Sequence, residues 1–349
     1  MNRIDALKQS SAKQGKPANF AIFNQANITY FTNFPGATVL YIPEEGDSTL
    51  YVSTVNYEQA KTEVKGVAVE QVKRGENLME KIAKQAPKKI GVDTLPIESW
   101  RSLAKAVGEE NKLESVNCLI RDLRSVKDAE EIKLIREACR IAAVGMRTAK
   151  ETMWLGTKEK AAAAEIEYAM RKEGCDGVAF ETIVASGPFS AFPHGCNLER
   201  TIRDGDFIVV DIGATYKFYR SDITRTFIAS KATYHQALIY EAVKLAHDKS
   251  LEAIKPKVAA SEVDKIARQV IEKAGFGEFF VHNLGHGVGL EVHEAPILSP
   301  DSKDILAAGN VVTDEPGIYV PDLGGVRIED TILVTKNGAE ILTTGPCMP

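Results

Sequence analysis

The chain has 349 residues, more than one hydrophobic core usually serves, so two domains are expected. Its 44% hydrophobic and 26% charged residues are ordinary for a globular protein, and a net charge of −5 argues against nucleic acid or an acidic membrane as partner. No run approaches the roughly eighteen apolar residues of a membrane span, and MNRIDALKQSSAKQGK lacks a secretory core.

In chain order, ANFAIF, TVLYIP, STLYVS and KKIGVD predict strands, and NYEQAKTEV and GENLMEKIAKQA predict helices, giving an α/β domain over residues 1–125. A polar stretch follows, and then a long helix whose apolar face is Ile135, Cys139, Ala142 and Met146, with Ser125 or Asp128 as candidate caps. Residues 126–349 form the second domain. It continues with a helix over 158–173, strands near 180–186, 206–212 and 220–228, and helices over 235–254 and 261–274. The last of these opens on SEVD, a capping-box-like stretch, and stops at Gly275. Strands over 310–319 and 325–335 close the chain. Helix pairs before each set of strands predict a duplicated α+β domain. The five cysteines, Cys118, Cys139, Cys175, Cys196 and Cys347, are odd in number and show no CxxC spacing. They read as reduced thiols of a cytoplasmic protein.

Two predicted hairpins carry acids. In DFIVVDIGATYKFYRSDITRTF a tip at Tyr216–Lys217 sets Asp211 opposite Asp222, with Cβ atoms roughly 4.5–5.5 Å apart; a bulge at Gly213 is the alternative. In TDEPGIYVPDLGGVRIEDT an odd-length loop centred near Asp322 makes Glu315 and Glu329 neighbours. Facing carboxylates repel, so a cation is expected between them. If the hairpins meet, four carboxylates and one imidazole match two divalent ions, and oxygen-dominated ligation suits Mn(II), Co(II), Fe(II) or Zn(II). The segment HNLGHGVGLEVHEAP places His282, His286 and His293 within twelve positions. His286, between Gly285 and Gly287, is the nitrogen ligand, with the other two beside it. A fourth histidine, His194, lies in SAFPHG.

Asp211 in DIG, Asp222 in SDITRT, His286 in GHG, Glu315 in EPGIY and Glu329 in RIED, in that order, resemble the proline-specific metallopeptidases of the pita-bread fold, the Xaa-Pro aminopeptidases and Xaa-Pro dipeptidases (prolidases). NITYFTNFPG and NYEQA resemble their creatinase-type N-terminal domain. The resemblance implies that Asp211 binds one metal, that Asp222 and Glu329 bridge two, and that His286 and Glu315 complete the second; Mn2+ is the expected ion. It implies a metal-bridging water as nucleophile with Glu315 as proton acceptor, and His194 and His293 as catalytic residues contacting the peptide. His282 lines the leaving proline's side, and Arg327 holds an acidic ligand or a substrate carboxylate. A cytoplasmic homodimer acting on short Xaa-Pro peptides is implied as well.

The chain departs from the family at three places. Phe218 and Arg220 replace small residues, putting a cation near Asp222. Asp314 replaces an apolar residue and is expected on the opposite strand face. Ile297 stands where many prolidases carry an arginine for the dipeptide carboxylate. The competing functions are a strict dipeptidase, a pita-bread binding protein without peptidase activity, a creatinase-like hydrolase and a methionine aminopeptidase.

Overall fold

The computed structural model describes residues 2–86, 89–108, 112–195 and 199–346. Cys196 and Cys347 lie outside them; Cys118, Cys139 and Cys175 are free thiols, the last two buried. The chain divides into two compact units, Met1–Arg124 and Ser125–Pro349.

The first unit is built on a six-stranded mixed sheet. Its order is Ala68–Val72, Thr49–Ser53, Val39–Ile42, Asn19–Ile22, Ile90–Val92 and Leu113–Ser115. Central strands such as Val39–Ile42 are buried along their whole length, so they read as apolar runs. The edge strand Ala68–Val72 has no buried residue; its half-polar sequence AVEQV is why no strand is predicted there. Helices Arg3–Lys13 and Ile97–Val107 also go beyond the sequence expectation.

The second unit repeats one plan twice. Helices Ala129–Thr152 and Glu159–Lys172 precede a three-stranded antiparallel sheet with Phe207–Ile212 between Ile183–Ser186 and Ile223–Ile228. Helices Tyr234–Ala253 and Ala260–Lys273 precede a five-stranded sheet in which Val311–Asp314 lies between Gly285–Gly287 and Asp330–Val334. Asp128 caps the long helix through a reciprocal capping box with Glu131, while Ser125 ends the preceding helix. Ile135, Cys139, Ala142 and Met146 are fully buried along its inner face. The SEVD expectation is corrected: the N-cap is Ala259, without a side-chain capping bond, and Ser261 already lies inside the helix.

The first hairpin differs in register from the expectation. Thr224, not Asp222, lies opposite Asp211, and the tip is Lys217–Phe218. Both tip residues have positive φ, 45° and 75°, the signs of a type I′ turn, whose twist matches the strands. The pairing is offset by two positions, so the face is preserved and Asp222 becomes the diagonal neighbour of Asp211. The same register runs through both sides of Gly213, so no extra residue is accommodated there.

The second hairpin follows the expected register. Asp314 pairs with Asp330 and Gly317 with Arg327, which carries Glu315 opposite Glu329 around a loop where Asp322 has φ 62°.

Candidate metal centre

Threonines join the two hairpins. Thr226 Oγ1 donates to Arg327 O and accepts from its N, both at 2.9 Å. Glu329 N donates to Thr224 O, and Thr331 Oγ1 donates to Asp222 O at 2.7 Å. Alternation along SDITRT therefore aims Asp222, Thr224 and Thr226 at the second hairpin. His286 enters from the neighbouring strand, which lies so close that a methyl group on Gly285 would overlap the Thr313 carbonyl.

Asp222, His286 and Glu329 offer ligand atoms that all lie within 4.8 Å of one another. His286 Nε2 lies 3.2 Å from Glu315 Oε1 and 3.8 Å from Asp222 Oδ2. Its Nδ1 donates to Gly287 O at 3.1 Å, which turns Nε2 toward the acids, the orientation of a metal-binding imidazole. Asp211 completes the ring. Its Oδ2 accepts from Arg327 Nη2 at 2.7 Å, and its Oδ1 is buried without a partner.

The electrostatics are those of an anionic cluster whose charge Arg327 and His286 offset only in part. Burial, then the charges of Glu329 and Asp211, pushes Asp222 well above the ordinary carboxylate range. Burial, then Glu315 and Asp211, does the same to Glu329. Asp211 is raised by burial, with Arg327 opposing. Burial also acts to raise Glu315, but the hydrogen bond and charge of His286 outweigh it and hold Glu315 at about 2. The orphaned Asp211 oxygen, the repelling acids and the five-donor set fit divalent cations.

The cluster floors a cavity of about 440 Å³ that is also lined by Phe180, Ile183, His194, His282, His293 and Ile297. The His293 ring packs edge-on against His286 with centroids 4.3 Å apart; burial and the His286 charge lower its pKa. His282 donates from Nδ1 to Asn283 O at 2.7 Å, and its Nε2 lies 2.9 Å from the Tyr319 hydroxyl. Neither ring nitrogen is left for a peptide. Exposed His194 lies at the cavity wall. All nine sequence-predicted site residues line this cavity.

The sequence profile of Metallopeptidase family M24 matches residues 133–336, and that of the Creatinase/Prolidase N-terminal domain matches residues 3–126. The chain belongs to metallopeptidase family M24. This M24 chain is 42% identical over 328 residues to the Xaa-Pro dipeptidase of Pyrococcus furiosus, covering 92% of each. Its structure resembles the prolidase of Pyrococcus horikoshii OT3 with TM-score 0.92, at 40% identity and 99% coverage of both chains. It also resembles an X-Pro aminopeptidase of Thermotoga maritima with TM-score 0.86, at 35% identity, covering 95% of this chain and 97% of that one. These likenesses establish the pita-bread fold with its creatinase-type N-terminal domain. Among the described residues no helix is long and apolar enough to cross a membrane.

Sequence reasoning missed the M24 chain's supporting residues. Tyr319 and Thr224 hold Arg327, which donates from Nη1 to the Tyr319 hydroxyl at 2.7 Å and from Nε to Thr224 Oγ1 at 3.1 Å. Thr224 in turn donates to Glu329 Oε2 at 2.6 Å. Thr313 Oγ1 accepts from His286 N and donates to Glu315 Oε1. Alternation places Thr224 on the face of Asp222, which was the available signal; Tyr319 had none.

Proposed function

We propose that this protein hydrolyses the peptide bond before proline in short Xaa-Pro peptides, with two divalent cations held by Asp211, Asp222, His286, Glu315 and Glu329. The observation that carries the proposal is the convergence of these five donors on the floor of one cavity, supported by the names of the relatives. Bound there, the ions would supply Lewis acidity toward the scissile carbonyl and toward a water molecule.

The chain's own residues supply the rest. Glu315, held ionised, is the acceptor for the proton of the attacking water. His293 and His194 face the peptide and contribute hydrogen bonds to the oxygen on which charge develops. His282, both nitrogens occupied, offers its ring face to the proline. Phe180, Ile183, Val292 and Ile297 form an apolar wall that accepts the pyrrolidine and sheds water. Arg327 is the hub that holds Asp211 in place; all three of its nitrogens are engaged within the protein.

Mn2+ is the ion we favour, on the oxygen-rich donor set. We divide the chain at residues 125/126, supported by the family matches and the two compact units. A cytoplasmic homodimer is the accompanying proposal; free thiols support the compartment and family resemblance the dimer. The narrower reading of a strict dipeptidase draws on the names of the Pyrococcus relatives.

Assays of metal-loaded protein on Ala-Pro, Ala-Pro-Ala and Met-Ala-Ser test the proposal. Cleavage of Ala-Pro or Ala-Pro-Ala well above Met-Ala-Ser is expected, and activity confined to the dipeptide selects the narrower reading. Preference for Met-Ala-Ser overturns both.

A further inference from the structure

Glu294 directly follows His293 but turns away from the cavity. It opens strand Glu294–Leu298 opposite Gly287, and neither it nor Lys127 is among the residues that line the cavity. Its Oε1 lies 2.7 Å from Nζ of Lys127, and the two side chains are only 8% and 1% exposed. Lys127 is itself held in place. Its main-chain N donates to Gly309 O at 2.9 Å, and its neighbour Val126 bridges to Asn310.

The loop over 289–294 is wrapped around this carboxylate. Glu291 N donates to Glu294 Oε2 at 3.3 Å, and Gly289 N donates to Glu291 O at 3.1 Å. A methyl group on Gly289 would overlap the Glu294 carboxylate, so the loop closes directly on it. The course of the loop is thereby set by an anion whose own place is fixed by Lys127. Val292 and His293 are the residues through which this loop meets the cavity.

His293 depends on its main chain for its position. Its ring packs edge-on against His286, and among the described residues no hydrogen bond holds either ring nitrogen. A donor that is to meet a developing oxyanion acts only as well as it is placed beforehand. Stability alone explains a buried ion pair poorly: desolvation of the ammonium and the carboxylate offsets most of their attraction, and an apolar pair of similar volume is often as stable. What the pair supplies here is direction, because only one loop course brings the carboxylate onto the ammonium.

We propose that Lys127 and Glu294 are positioning residues for His293, their ion pair fixing the 289–294 loop so that the imidazole meets the oxygen on which charge develops. The inference rests on the Xaa-Pro peptidase reading above and adds to it two residues that act through His293 without touching the peptide.

The test uses Mn2+-loaded wild type, Glu294→Gln, and a double variant carrying Lys127→Met with Glu294→Gln, which removes both charges and strands neither. Kinetics on Ala-Pro and Ala-Pro-Ala are expressed per Mn2+-loaded protein, so a loss of folded enzyme does not register. Both variants are expected to lose roughly tenfold or more in kcat, the effect of a small misplacement of a catalytic group, with KM within about twofold of wild type. In a His293→Gln background the same double substitution should change kcat by less than about twofold, the scatter of uncoupled effects. Where the His293→Gln enzyme is too slow to measure, the split between kcat and KM decides. Wild-type kcat in either variant, a change confined to KM, an equal loss in both backgrounds, or loss of the fold in both variants marks the pair as structural. Each of these overturns the inference and leaves the peptidase reading standing. Wild-type protein that cleaves neither peptide overturns both.

Discussion

The hydroxyl of Tyr319 lies 2.9 Å from Nε2 of His282, and its direction of donation is determined by what stands on either side. Asn283 O can only accept, so His282 Nδ1 carries the proton and Nε2 receives one from Tyr319. Arg327 donates into the same hydroxyl. One phenol therefore orients an imidazole on the cavity wall and a guanidinium on the acid cluster. Burial lowers the His282 pKa, consistent with a neutral ring, and burial pushes the phenol up to about 12.

Replacing Tyr319 with Phe removes both hydrogen bonds while keeping the ring. The expected outcome is a loss of kcat/KM on Ala-Pro peptides of roughly ten- to a hundredfold, the range for a hydrogen bond to a charged group. Steady-state kinetics check it; unchanged kinetics would remove the phenol from the account.

Behind the cluster, on the other face of the same strands, Asp314 pairs with Asp330, as the alternation argument for Asp314 expected. His247 Nε2 lies 3.2 Å from Asp330 Oδ2, Arg225 Nη2 donates to Asp330 Oδ1 at 2.8 Å, and Ser250 Oγ lies 2.8 Å from both Asp314 oxygens. Burial acts to lower the His247 pKa, but Asp330 and Asp314 outweigh it and raise it above 6.5. A raised histidine binds its proton more tightly in the folded state. Its contribution to stability is therefore complete below pH 6.5 and is lost as pH rises through the folded-state value. Thermal melts of His247→Gln against wild type should show the largest deficit near pH 6, narrowing toward pH 9. A deficit that does not change with pH contradicts this assignment.

The Lys217–Phe218 turn places two ordinary side chains in left-handed backbone. Replacing the pair with Asn-Gly should raise the urea midpoint with unchanged slope, by about 1 kcal/mol of stability, since the left-handed conformation costs non-glycine residues on that order. A lowered midpoint would mean that Phe218 contributes packing which the turn geometry does not reveal.

Much of the site was legible because its chemistry lies in local patterns. The glycines around His286 and the symmetric spacing of Glu315 and Glu329 about Asp322 carry their own geometry, and that hairpin has the expected register. The first hairpin was misread because no Asn-Gly marks its tip, so residue type alone did not distinguish Tyr216–Lys217 from Lys217–Phe218. The error left the face intact, and Asp211 and Asp222 still share the cavity. The Arg327–Tyr319–His282 chain could not be read at all, because it depends on side-chain directions that only the joined hairpins define. Edge strand Ala68–Val72 escaped for the opposite reason: with neither face buried, its sequence carries no apolar alternation.

Metal stoichiometry tests the central claim most directly. Protein stripped with a chelator and then titrated with Mn2+ should bind two equivalents per chain, and hydrolysis of Ala-Pro or Ala-Pro-Ala should vanish on stripping and return with metal. Glu329→Gln, which removes a proposed bridge, should bind fewer than two. Full activity in metal-free protein, or no Mn2+ bound by the wild type, would contradict the account.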